Sequence, residues 1–189
     1  MTPYERRLQL LKAGFQEIVP LTGKKAVLTN WQTRGNTNPD EIKLWTTMWP
    51  AAQNTGILCR FTPVLDIDIL DPEAADAIEQ LVRDRFGDHG RVLPRFGKAP
   101  KRAIPFRTDK PFPKITAALI AGNGTDERIE LLCDGQQAVV DGIHPDTKQP
   151  YRWTCGSIGE IRHDLPFISA SEAQALVDHI AEILVAEHV

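Results

Sequence analysis

Along this chain the apolar positions switch repeatedly between the three-and-four spacing of helices and the alternation of strands. Thr2-Pro3 with Glu5 forms a capping box, which predicts a helix to about Ala13 that stops at Gly14. FQEIVPL, residues 15–21, reads as a short strand running into the turn TGKK. Asn38-Pro39-Asp40-Glu41 opens a second helix, with Ile42, Trp45 and Trp49 on one face and Pro50 ending it. Residues 56–60 and 64–70 read as two strands joined by a tight turn. Asp71-Pro72-Glu73 caps a third helix with the stripe Ile78, Leu81 and Val82, and Gly87 stands where a C-cap glycine belongs. RIELLCDGQQAVVDGIH reads as a hairpin, residues 128–133 and 136–140 around Asp134-Gly135, and YRWTC as a further short strand. Ser169 and Glu172 form a capping box for a last helix with the stripe Leu176, Ile180, Ile183 and Leu184. Strands packed this closely leave no room for a series of βαβ crossovers. The expected class is α+β, a mixed or mostly antiparallel sheet flanked by helices.

No internal repeat or low-complexity linker breaks the pattern, so residues 1–189 are expected to form a single domain. The predicted last helix runs to the last residue, as would suit a domain cut from, or followed by, a longer protein. Hydrophobic residues make up 42% and charged residues 25%, ordinary for a globular domain. No apolar run approaches the roughly 20 residues of a membrane span, and MTPYERRLQLL lacks the apolar stretch of a signal peptide. Cys59, Cys133 and Cys155 contain no CxxC pair, so neither a zinc site nor a disulfide framework is indicated, and a cytoplasmic location is expected.

Charge changes this picture in one place. The net charge of −3 argues against a protein that coats duplex DNA, but residues 91–110 carry seven Lys or Arg against the single acid Asp109. Such a local basic field suits phosphate groups; the other reading is a solvated loop.

The strand PVLDIDIL poses the sharper chemical question. Alternation turns Leu65, Ile67 and Ile69 to one side and Val64, Asp66 and Asp68 to the other. The two aspartates then stand roughly 6–7 Å apart at their backbones. Aspartate is disfavoured in strands, and like charges on one face repel. Either the pair decorates an exposed strand, or divalent cations lie between the carboxylates. Hard oxygen donors suit Mg²⁺ or Mn²⁺, with phosphate oxygens completing the shell, as two-metal phosphoryl transfer requires. Glu130, in the strand RIELL, is the best candidate for a third carboxylate.

Taken in order, four stretches make the chain resemble the N-terminal domain of bifunctional DNA primase/polymerases, of the archaeo-eukaryotic primase superfamily and of the phage and plasmid type. GFQEIVPLTGKKAVLTNW resembles the opening strand, GK turn and tryptophan. IKLWTTMWPAAQNTGIL resembles the helix and Asn-x-Gly-Ile stretch before the catalytic strand. VLDIDIL resembles the first catalytic motif, and RIELLCDGQQAVVDGIHPDTKQPYRW the third motif and the hairpin after it. The resemblance implies an RRM-like palm beside a smaller α/β unit, with Asp66, Asp68 and Glu130 as catalytic metal ligands for Mg²⁺ or Mn²⁺. It implies template-directed nucleotidyl transfer from nucleoside triphosphates on single-stranded DNA. The family's second motif, a small residue, any residue and histidine that contacts the triphosphate, is absent between Asp68 and Glu130, where the sequence has GKAPKRAIPFR. Lys98, Lys101 or Arg102 could supply that charge, or His144 in GIHP could be brought in from beyond Glu130.

Two other classes of function compete. A DxD pair also serves nucleotide-sugar glycosyltransferases, though their Rossmann-like sheet does not match this pattern. Alternatively the domain binds single strands as a replication-initiation module without synthesis, which the missing histidine favours. No GxxxxGK[ST] occurs, so unwinding would fall to a helicase domain or partner. Lys24 and Lys25 read as a solvated turn, the alternative being a reach to phosphate or template, and Trp45 and Trp49 as core rather than base-stacking platforms. Trp31 and Trp153 are not placed, and His89, His163, His179 and His188 show no metal spacing.

Overall fold

The computed structural model describes residues 1–120, 126–160 and 162–187; His188 lies outside them. Among the described residues four α-helices and two antiparallel sheets make an α+β fold. Helix α1 (Pro3–Lys12) starts at the predicted capping box, with Glu5 N–H donating to Thr2 Oγ1 and Thr2 N–H to the Glu5 carboxylate. It is followed by β1 (Ile18–Thr22), the two-residue β2 (Lys25–Ala26) and α2 (Pro39–Met48), which Asn38 caps. Then come β3 (Asn54–Leu58), β4 (Val64–Asp68) and α3 (Pro72–Phe86). The short β5 (Arg95–Phe96) and β6 (Arg102–Pro105) precede β7 (Ile115–Ile120), β8 (Asp126–Leu132) and β9 (Gln137–Asp141). The two-residue β10 (Arg152–Trp153) leads through Ser169 and Glu172, which bond each other's backbone N–H as a capping box, into α4 (Ala170–Glu187). Among the described residues no helix is long and apolar enough to cross a membrane.

One sheet has the order β2-β1-β3-β9, the other β10-β5-β6-β4-β8-β7. Each has its own core. Leu65, Ile67 and Ile69 pack with Ile104, Ile129 and Leu131 against Ile78, Val82 and Phe86 of α3 and Leu176, Ile180 and Leu184 of α4. Leu10 of α1 and Ile42 and Trp45 of α2 pack with Ile18, Leu21, Ile57 and Val139 of the smaller sheet. Trp31, Trp49 and Trp153 flank this second core, and Trp153 Nε1–H donates to Val140 O at 2.8 Å. Where the sheets meet, Cys59, Val64, Ala103 and Ala138 form a small apolar junction.

Two sequence readings are corrected. The strands on either side of Asp134-Gly135 both form, but not as a hairpin. β8 already has β4 on one edge and β7 on the other, so it has no edge to offer β9. Gly135, in the left-handed region at φ 72°, turns the chain away, and β9 completes the smaller sheet beside β3. β3 and β4 also part at their connecting turn, one joining each sheet. Gly87 closes α3 in the right-handed region at φ −60°, and the chain continues into a 3-10 turn at Gly87–His89 rather than a left-handed cap.

Candidate active site

β4 is a central strand of the larger sheet, and its alternation sorts its side chains as predicted. Leu65, Ile67 and Ile69 are fully buried toward the helices, while Asp66 and Asp68 are half-buried on the opposite face. Asp66 lies directly across from Glu130 of β8, and Asp68 across from Arg128. Directly opposed residues in an antiparallel pair share a face, with Cβ atoms about 5 Å apart. The row through Asp66 runs across the sheet as Arg95, Ala103, Asp66, Glu130 and Thr116. The three predicted acids thus share one face, the one turned away from α3 and α4.

Above the two aspartates lies a cleft of about 270 Å³. Its other walls are the β5–β6 connection with Lys98 and Lys101, the edge of β9, Lys24 from the first turn, and His144. The carboxylates carry unequal burdens. Burial pushes the Asp66 carboxyl above its ordinary range; Arg95 opposes this, while the charges of Asp68 and Glu130 add to it. Asp68 is paired with Lys101. Glu130 accepts from Lys114 Nζ at 2.9 Å and Thr116 Oγ1 at 3.4 Å. Among the described residues no three His, Cys, Asp or Glu side chains are gathered closely enough to hold a metal ion as they stand. The donor chemistry, three hard carboxylates on adjacent strands, fits a divalent cation of the Mg²⁺ or Mn²⁺ kind.

The predicted phosphate-binding residues divide. Lys98 and Lys101 line the cleft. Arg102 also borders the cleft, but its guanidinium is turned away from it. It is the register partner of Ile67, so its side chain takes the helix side of the sheet. There its guanidinium, 6% exposed, donates to Glu79 at 2.5 Å and Asp76 at 2.7 Å, both on α3. Strand alternation separates Arg102 from its neighbour Lys101.

His144 does arrive at the cleft from beyond Glu130. Its Nδ1 accepts from the backbone N–H of Asp146 and Thr147 at 3.2 and 3.3 Å. A neutral ring so held carries its proton on Nε2 and can donate it. Burial lowers its pKa, as do the positive charges of Lys24, Arg95 and Lys98, against Asp146. Thr147 Oγ1 donates to Gly97 O at 3.2 Å, fastening this loop to the β5–β6 connection. A side chain at Gly97 would collide with the His144 and Tyr151 rings, at 2.5 and 2.6 Å.

Several site residues were not singled out from the sequence. Arg95 was one of seven basic residues; only its register places it in line with Asp66. Its guanidinium donates to Val139 O and lies 4.8 Å from the Tyr151 ring. Lys24, by contrast, is offered by the sequence both as a solvated turn residue and as a phosphate contact, and it is exposed and lines the cleft. Asn54 is the hidden fastener: its Nδ2 donates to Gly23 O at 2.9 Å and Ile143 O at 2.8 Å, and its Oδ1 accepts from Ile143 N–H at 2.8 Å. One buried side chain thus holds the residues immediately before both Lys24 and His144. The nearby Gly142, at φ 120°, leaves room for it.

Comparison with curated proteins gave no match. Comparison with protein families matched residues 7–167 to the family described as bifunctional DNA primase/polymerase, N-terminal (Prim-Pol). That span holds both sheets, the three carboxylates and every residue of the cleft. The chain therefore belongs to the Prim-Pol family of DNA primase/polymerase domains.

Proposed function

We propose that the cleft performs metal-dependent, template-directed nucleotidyl transfer from nucleoside triphosphates on single-stranded DNA. The observation that carries this reading is the juxtaposition of Asp66, Asp68 and Glu130 on one sheet face with Lys24, Lys98, Lys101 and His144 around the same cleft. Acids on the floor and cations on the walls match a substrate whose reacting phosphate must meet a nucleophile while its charge is neutralised. A divalent ion of the magnesium or manganese kind, when bound, supplies charge stabilisation at the attacking and leaving oxygens. Asp66 and Asp68 would hold it, with Glu130 as third carboxylate. Lys98 and Lys101 meet the triphosphate as mobile point charges, and His144 donates from Nε2 with its ring fixed by two backbone amides. Asn54 and Gly97 set the loops that carry these groups. Strand separation falls to another domain or partner.

The test is synthesis on single-stranded DNA with all nucleotides and Mg²⁺ or Mn²⁺, with and without a primer. Asp66→Ala/Asp68→Ala should lose incorporation by about 10³-fold or more and keep the wild-type circular dichroism spectrum. Full activity in that variant would overturn the assignment.

A further inference from the structure

Two of the three carboxylates are already held by ammonium groups of the chain. Lys101 pairs with Asp68, and Lys114 with Glu130. The pairs are not equivalent. The side chains of Asp68 and Lys101 are 35% and 30% exposed, and this is the only ion pair either one makes among the described residues. Glu130 is 14% exposed and is held by Thr116 as well as by Lys114. An ion pair open to solvent is weak and re-forms readily. Lys101 also sits in the β5–β6 connection beside Lys98, on a flexible four-carbon stem, within the cleft that would take the triphosphate.

Resting on the proposed function, we infer that Lys101 is an exchange cation. It neutralises Asp68 while no metal is bound, and swings to the phosphates when a divalent ion takes its place. Charge arithmetic drives the exchange. A doubly charged ion beside Asp66 and Asp68 repels an ammonium left on the same carboxylate. An incoming triphosphate offers that ammonium a new partner a few ångströms away. Metal and nucleotide then bind cooperatively, since each frees or fills what the other needs.

The test compares Lys101→Met with Lys98→Met, a cleft lysine that makes no ion pair with the carboxylates. Mn²⁺ binding without nucleotide is read by electron paramagnetic resonance. Binding of a non-hydrolysable nucleoside triphosphate in Mn²⁺ is read by calorimetry. Lys101→Met is expected to bind Mn²⁺ alone about three- to tenfold more tightly, and the triphosphate more weakly by a similar factor. Lys98→Met should lose triphosphate affinity with no gain in Mn²⁺ affinity. Lys101→Arg, which can grip Asp68 with two donors, should bind Mn²⁺ more weakly than wild type. Unchanged or weaker Mn²⁺ binding by Lys101→Met, or an equal gain in Lys98→Met, overturns the exchange and leaves the site reading standing. A wild-type protein that binds no Mn²⁺ overturns both.

Discussion

Neighbours in sequence take different work here because a strand alternates. Lys101 and Arg102 look interchangeable as phosphate ligands, yet one faces the cleft and the other anchors β6 to α3 through Asp76 and Glu79. Arg102→Met should therefore act on stability. Removing a buried cation and leaving Glu79 without it is expected to cost about 3 kcal/mol in urea unfolding. Triphosphate affinity of the folded fraction should be unchanged; a specific loss of affinity would return Arg102 to the cleft. His144 makes the opposite case, a charge the protein keeps off. Its folded pKa lies below the ordinary 6.5. Between the two values the unfolded chain binds the proton and the native ring does not, so stability rises with pH in that window. The contribution is present above the unfolded value and is lost as pH falls through the folded one. Thermal unfolding followed from about pH 8 to about pH 5 should show the wild type losing more stability than His144→Gln, with their melting temperatures converging in acid.

At the scale of elements, the site depends on two loops that the strands alone do not place. Asn54, at the start of β3, bonds the residues preceding Lys24 and His144. Asn54→Ala breaks three hydrogen bonds around a buried position. It should lower stability by about 2–3 kcal/mol and raise KM for the triphosphate about tenfold while kcat changes less. An unchanged KM would mean the loops are held by other contacts. Such a role was not legible in the sequence, because Asn54 joins residues 31 and 89 positions away. What was legible rests on local rules: the capping boxes at Thr2, Asn38 and Ser169, the apolar stripes of α3 and α4, and the alternation that turns Asp66 and Asp68 from the core. The placement of Glu130 opposite Asp66 was not legible, because it needs β8 to neighbour β4 in one particular register. The hairpin at Asp134-Gly135 was misread because its turn signal is real but its first strand is already paired on both edges. Edge occupancy is a property of the sheet, not of the segment.

The whole molecule reads as two sheets, each with its own helices and core, meeting at a small apolar junction beneath the cleft. Acids come from the larger sheet. The lysines come from the first turn and the β5–β6 connection and the neutral His144 from the loop after β9, so no contiguous segment holds all of these residues. The net charge of −3 conceals this division, since the basic residues of the segment from 91 to 110 are split between the cleft and the helix side. The most direct measurement is anomalous diffraction from crystals containing Mn²⁺ and a non-hydrolysable nucleoside triphosphate. Mn²⁺ is expected at about 2.0–2.3 Å from carboxylate oxygens of both Asp66 and Asp68, with the phosphates against Lys98, Lys101 and His144. Manganese bound elsewhere, with the triphosphate seated outside this cleft, would contradict it.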